Sequence, residues 1–318
     1  MNLTKAKKIN KISLTLSKCF YKVGLNFVGR VISRRRVFSS FKFLEKNAKA
    51  FLYKDYDFSK LESIDYSTSP IFVMWLQGGE DVMPETVKRC FASIKQNCLG
   101  HPVNLVTENN LSSYIELSPL IIQKYNEKKI SRAIFSDIVR AALLYKYGGT
   151  WIDSTVYLSA KLPDEYFNKD FFSPCGFNGI KKRDWKYFFL ESNGWSVWFM
   201  GTNKKHYPLF EFLTNFYAFY FEKYDSTIDY FQTDFSISLF YQKNLYFHNY
   251  LNCQMANNTR AYELADFMNK KADTNLKSVK SLLSENLIHK LTYKRNWNKT
   301  NKKGERTVYS LFLENFEN

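Results

Sequence analysis

Residues 131–158, SRAIFSDIVRAALLYKYGGTWIDSTVYL, constrain the fold more than any other segment. From 133 to 147 there is neither Gly nor Pro, and apolar side chains occupy nearly every face. The pattern predicts a buried helix with Ser131 as its N-terminal cap. Gly148-Gly149 stops it, because glycine takes the left-handed conformation that follows a last helical turn. Residues 150–158, TWIDSTVYL, are rich in β-branched and aromatic types and predict a central strand. Asp153 falls inside that strand.

A carboxylate within an otherwise apolar strand is costly unless a positive or hydrogen-bonding group meets it there, and a metal ion is the simplest candidate. Asp137 and Arg140, three apart on one helix face among Ala, Ile, Val and Leu, add further charge. By themselves these two suit a structural ion pair equally well, with Asp153 capping a turn at a strand end. The succession of helix, two glycines and a strand carrying Asp153 favours a functional site.

The run SDIVRAALLYKYGGTWIDSTV resembles the core of the capsular polysaccharide synthesis family of glycosyltransferases, related to the DxD-containing sugar transferases. The resemblance implies a GT-A-like α/β fold, a mixed sheet flanked by helices with a helix- and aromatic-rich C-terminal half. It also implies that Asp137 and Arg140 hold the donor sugar and ribose. Asp153 would bind a divalent cation, Mn2+ or Mg2+, on the diphosphate of a nucleotide-sugar donor. The chain departs from the DxD pattern at Thr155, where a second acid would stand.

Charge is unevenly placed. Of the net +16, residues 1–54 contribute +13, from 14 basic residues and one acid, Glu45. A near-neutral body with a basic arm points to an anionic surface met at one end and away from nucleic acid. Ile9, Ile12, Leu16, Phe20, Val23, Phe27 and Val31 recur at helical spacing opposite Lys11, Lys18 and Lys22. No run of apolar residues is long enough to span a bilayer, and Lys18 and Lys22 interrupt any signal-peptide core. Residues 1–66 therefore read as a basic amphipathic arm, whose first 40 residues either lie on an anionic membrane face or pack as a plain helix with a solvated face. Cys19, Cys90, Cys98, Cys175 and Cys253 form no CxxC pair and point to a reducing compartment.

Residues 67–160 read as a nucleotide-binding half. Apolar 71–76 predict a first strand, ended by Gln77-Gly78-Gly79; a helix starting at Pro84 and a strand over 103–106 follow. Ligands of such sheets collect beyond the carboxyl ends of the strands, near Gln77 and Asp153. Residues 161–293 form the sugar-binding half, with helices predicted over 208–224 and 228–242 and a strand and turn over 190–200. Its many aromatics suit sugar rings, though most must be core. Residues 294–318 form a basic tail.

The resemblance assigns Trp75 to stacking on a uracil-like base, with ordinary core as the alternative. Asp234 matches the second-half acid near the acceptor or donor sugar, with Asp229 as its rival. His289 and Lys290 match a C-terminal element with imidazole on the metal and ammonium on phosphate, where a late His ligand would supplement the acid missing at 155.

The implied activity is metal-dependent transfer of a sugar, with retention, from a nucleotide-sugar donor, expected to be UDP-linked. The acceptor is a saccharide or lipid-linked saccharide of capsule or exopolysaccharide assembly, at the cytoplasmic membrane face. The alternative, favoured by Thr155, is a carbohydrate-binding or scaffolding protein that has lost turnover.

Overall fold

The structure, a computed structural model, describes residues 3–177 and 193–316. Helices α1 (Leu3–Lys22) and α2 (Asn26–Leu52) form a hairpin. The apolar run expected to continue to Val31 is broken at Gly24, whose φ of 80° lets the chain reverse. Next come β1 (Ile71–Met74), α3 (Glu85–Asn97), β2 (Val103–Val106), α4 (Leu111–Tyr114), α5 (Pro119–Asn126), α6 (Arg132–Tyr147), β3 (Gly149–Ile152), β4 (Val156–Leu158) and β5 (Phe199–Thr202). The C-terminal part holds α7 (Pro208–Lys223), α8 (Gln232–Lys243), α9 (Leu245–Asn252), α10 (Leu264–Phe267), α11 (Ala272–Glu285), β6 (Ile288–Lys290) and α12 (Val308–Leu313). Part of the strand and turn expected over 190–200, residues 190–192, lies outside the described residues.

The main sheet has the order β2-β1-β3-β5, with β1 parallel to both β2 and β3 and β5 antiparallel to β3. This is a mixed α/β fold whose sheet is flanked by helices. The capping expected of α6 is present: Ser131 Oγ accepts from the Ile134 N–H at 3.4 Å, and Gly148 closes the helix at φ 64°. Gly149 is required for a second reason. A Cβ there would come within 2.2 Å of the Pro70 carbonyl, the group that accepts the Thr150 N–H and seats β3 beside β1.

The single strand expected over 150–158 is instead two strands in different sheets. β3 ends at Ile152, residues 153–155 turn, and β4 pairs antiparallel with β6, Val156 opposite Lys290 and Tyr157 opposite His289. The Val156 N–H donates to the Asp153 carbonyl and the Asp153 N–H to the Trp198 carbonyl, each at 2.9 Å. Asp, Ser and Thr in succession favour such a turn over a continued ladder. Asp153 therefore sits at the carboxyl end of β3, not within a strand.

Helix α8 starts at Gln232, later than the expected 228, because the Asp229 carboxylate accepts the Phe231 N–H and the Gln232 side chain accepts the Ile228 N–H. The other Asp229 oxygen pairs with Arg36 of α2 at 2.6 Å, both side chains being buried. The Arg36 guanidinium also lies 5.9 Å from the centroids of Phe231 and Phe235. Aromatics of the C-terminal half are mainly core: Phe212, Phe216, Tyr217, Tyr220 and Phe221 on α7 are all fully buried.

Candidate active site

An open cavity of about 590 Å³ lies beyond the carboxyl ends of β1 and β3, the position where open α/β sheets collect their ligands. Seven of the eight residues singled out in the sequence line it: Trp75, Gln77, Asp137, Arg140, Asp153, Asp234 and Lys290. A second cavity, of about 410 Å³, adjoins it through Leu76, Gln77 and Arg132 and extends to residues 107–109 after β2.

The floor is a chain of charge-assisted contacts. Arg140 Nη1 donates to Asp137 Oδ1 at 2.6 Å, and Nη2 reaches Asp153 Oδ1 at 3.3 Å. Trp151 Nε1 donates to the same oxygen at 2.8 Å, and its ring lies 4.9 Å below the guanidinium. Lys290 closes the chain from β6, with Nζ 2.7 Å from Asp153 Oδ2 and 2.8 Å from Thr155 Oγ1. Burial by itself would raise the Asp153 carboxyl, but Lys290 and Arg140 outweigh it and hold the group below its ordinary value. Asp137 is moved the other way: burial dominates, opposed by Arg140 and by the Thr233 hydroxyl, which donates at 2.5 Å.

Asp234, on the first turn of α8, faces the same cavity. Burial, with repulsion from Asp137, pushes its carboxyl up to about 7 against the pull of Arg140. The cavity thus holds one carboxylate kept in its charged form, Asp153, and another, Asp234, whose carboxyl is raised to about 7, an arrangement typical of acid–base chemistry.

Residues 29–311 match the family described as capsular polysaccharide synthesis protein. The chain belongs to that family. The match encloses every cavity residue and leaves α1 outside. No curated protein matches the chain. Among solved structures, the PaToxG glycosyltransferase is similar at 12% identity and a TM-score of 0.35, over 91% of this chain and 95% of that one. A likeness so loose carries no inference about chemistry.

In this member of the capsular polysaccharide synthesis family, the geometry does not bring His289 to the site. Neighbours on a strand point to opposite faces, and Lys290 takes the face toward the cavity. The His289 imidazole is fully buried near Tyr157, its ring centroid 6.2 Å away, and burial pushes it down to about 4. Without it, no three His, Cys, Asp or Glu side chains are grouped to hold a metal ion among the described residues. Both Asp153 oxygens already meet cations, and Thr155 brings no charge. Of the two metal ligands that the resemblance implies, Asp153 alone faces the cavity, where it meets Arg140 and Lys290.

Trp75 is buried against Tyr293, edge to face at 5.4 Å, so the more exposed aromatic on that wall is Tyr293. Arg132 and Lys294 add two cations at the rim. Arg132 and Tyr293 were not singled out in the sequence. Both stand within three residues of residues that were, Arg132 beside the Ser131 cap and Tyr293 beyond Lys290, which was the available signal.

Proposed function

We propose that this protein is a glycosyltransferase with a GT-A-like sheet. It moves a sugar from a nucleotide-linked donor, UDP being the expected nucleotide, to a saccharide or lipid-linked saccharide acceptor in capsule or exopolysaccharide assembly. Support comes from family membership and from one observation above all: Arg140 and Lys290, carried by α6 and β6, converge on Asp153 at the carboxyl end of β3.

The cavity wall carries Arg132, Arg140, Lys290 and Lys294 against Asp137, Asp153 and Asp234, an excess of one positive charge, or two when Asp234 is protonated. Such a site complements a diphosphate, whose leaving oxygens gain negative charge as the sugar departs. Cations already fixed there stabilise that charge without reorganising. Asp153 anchors the two central cations. Asp234 faces the sugar as a hydrogen-bonding group and takes the proton of the acceptor hydroxyl.

Lys290 bridges residues 153 and 155, the interval in which a pair of acids would grip a divalent ion. An ion about 4 Å from that ammonium would meet repulsion on the order of 8 kcal/mol at an effective dielectric of about 20. In this proposal side-chain cations alone offset the diphosphate, and the expected Mn2+ or Mg2+ has no step assigned to it.

A thermal-shift screen of nucleotide sugars in EDTA tests the reading, since a ligand that binds only the folded state raises its melting temperature. A rise with UDP-sugars followed by nucleotide release supports it; no response to any nucleotide sugar contradicts it. Sugar binding without turnover is the second reading, favoured by Thr155 and by the full engagement of Asp153. Binding with no release across the panel and a set of saccharide acceptors would select it.

A further inference from the structure

The hairpin of α1 and α2 leaves apolar side chains uncovered. On α1 the face toward the protein consists of Leu3, Ala6, Asn10 and Ser17, all buried. A second stripe, Ile9, Ile12 and Leu16 at i, i+3 and i+7, is 42, 50 and 45% exposed. Lys5 and Lys8 flank this stripe, and Lys7, Lys11, Lys18 and Lys22 follow a third one farther round the helix. At the tip, Val23, Leu25 and Phe27 are 69, 52 and 80% exposed, and Phe38 on α2 is 71% exposed. Residues 1–40 hold ten Lys and Arg and no Asp or Glu. Of these cations only Arg36 is buried.

We propose that this hairpin docks on an anionic lipid surface, with its apolar stripe and tip inserted at the headgroup boundary and its cations on lipid phosphates. A second copy of the chain fits poorly, because stacking two stripes would bring together two sets of cations with no acid before Glu45 to pair with them. An anionic bilayer supplies both the apolar depth and the opposite charge. The helix lies on the surface and does not cross it; among the described residues no helix is long and apolar enough to span a membrane.

The hairpin is also bonded to the rim of the cavity. Asn10 Nδ2 donates to the Ile228 carbonyl at 3.3 Å and to Ser40 Oγ at 2.8 Å, tying α1 to α2 and to the turn before α8. Arg36 holds the next residue, Asp229, at 2.6 Å. The same turn carries Tyr230 and Phe231 on the cavity wall. Docking therefore fixes the sugar side of the cavity relative to the lipid surface and presents it to a lipid-linked acceptor. Only that last consequence rests on the sugar-transfer reading.

The test is flotation of the full-length protein with vesicles of phosphatidylcholine alone or mixed with phosphatidylglycerol. The wild type is expected to float with the mixed vesicles only, and less as salt rises. Replacing Lys5 and Lys8 by Gln should weaken binding about fivefold per lysine at low salt. The variant Ile12→Ser, Leu16→Ser, Phe27→Ser should stay in the soluble fraction with unchanged melting temperature and unchanged response to UDP-sugars. Its transfer to a lipid-linked acceptor should fall while donor hydrolysis in water is kept. Equal flotation with both vesicle types, or wild type that remains soluble with both, overturns the proposal. So does a wild-type dimer in sedimentation that these apolar substitutions dissociate. Flotation as expected without any response to nucleotide sugars leaves the docking standing and removes the sugar-transfer reading.

Discussion

Lys290→Ala removes the ammonium that lies 2.7 Å from Asp153 and 2.8 Å from Thr155. Two consequences follow from the geometry. Loss of one preorganised cation beside a leaving diphosphate is expected to lower turnover by roughly 10²- to 10³-fold, or about 2.7–4 kcal/mol in the barrier, with a smaller effect on donor affinity. The second consequence is more specific. With Lys290 gone, Asp153 Oδ2 and Thr155 Oγ1 are open, and Arg140 and the Trp151 N–H are left to oppose the effect of burial on the Asp153 carboxyl. A divalent ion can then enter the position that the ammonium held. Nucleotide release from UDP-sugars, measured in EDTA and again with Mn2+, is the assay. Wild type is expected to be equally active in both conditions, and Lys290→Ala to be slow in EDTA and accelerated by Mn2+. Wild type that is silent in EDTA and restored by Mn2+ would refute the reasoning, as would full activity of the variant without metal.

Arg36→Ala strands the buried Asp229 carboxylate and is expected to destabilise the fold by about 3–5 kcal/mol in urea unfolding; a loss below about 1 kcal/mol would show the pair to be idle. Asp234→Asn tests the raised carboxyl. Its folded value of about 7 lies above the ordinary 3.8, so between those values the folded protein keeps a proton that the unfolded chain has released. Wild-type stability should therefore fall as pH rises through that window, by at most about 1.4 kcal/mol per unit, and level off above it. The unfolding free energy of Asp234→Asn relative to wild type should climb across the window; a flat difference contradicts the shift. Turnover of wild type should rise through about pH 7 as Asp234 becomes a base.

The cap, body and stop of α6 were legible because their signals are local: Ser131, an unbroken apolar run and two glycines. The end of β3 was not. It depends on the Trp198 carbonyl taking the Asp153 N–H and on β6 pairing with Val156, contacts made by residues 45 and more positions away. The meeting of Lys290 with Asp153 was reachable only through the family resemblance, for nothing in either segment points to the other. His289 is different: no strand was expected over 288–290, and the one that forms there, β6, turns His289 and Lys290 to opposite faces. The apolar stripe of α1 was visible as a period, but whether it was buried or open could be read only after α2 folded against a different face. Asp229 looked equivalent to Asp234 until Arg36, 193 positions earlier, was found to hold it.

The most direct measurement of the central claim is nucleotide release from a panel of UDP-sugars in EDTA, by wild type and by Asp153→Asn. The amide is nearly isosteric with the carboxylate but leaves Arg140 and Lys290 without their shared counter-charge. Turnover of at least one donor by wild type, and its loss in a variant with unchanged circular dichroism, is the expected result. Release at the wild-type rate by Asp153→Asn would place the chemistry elsewhere in the molecule and contradict the assignment of this cavity.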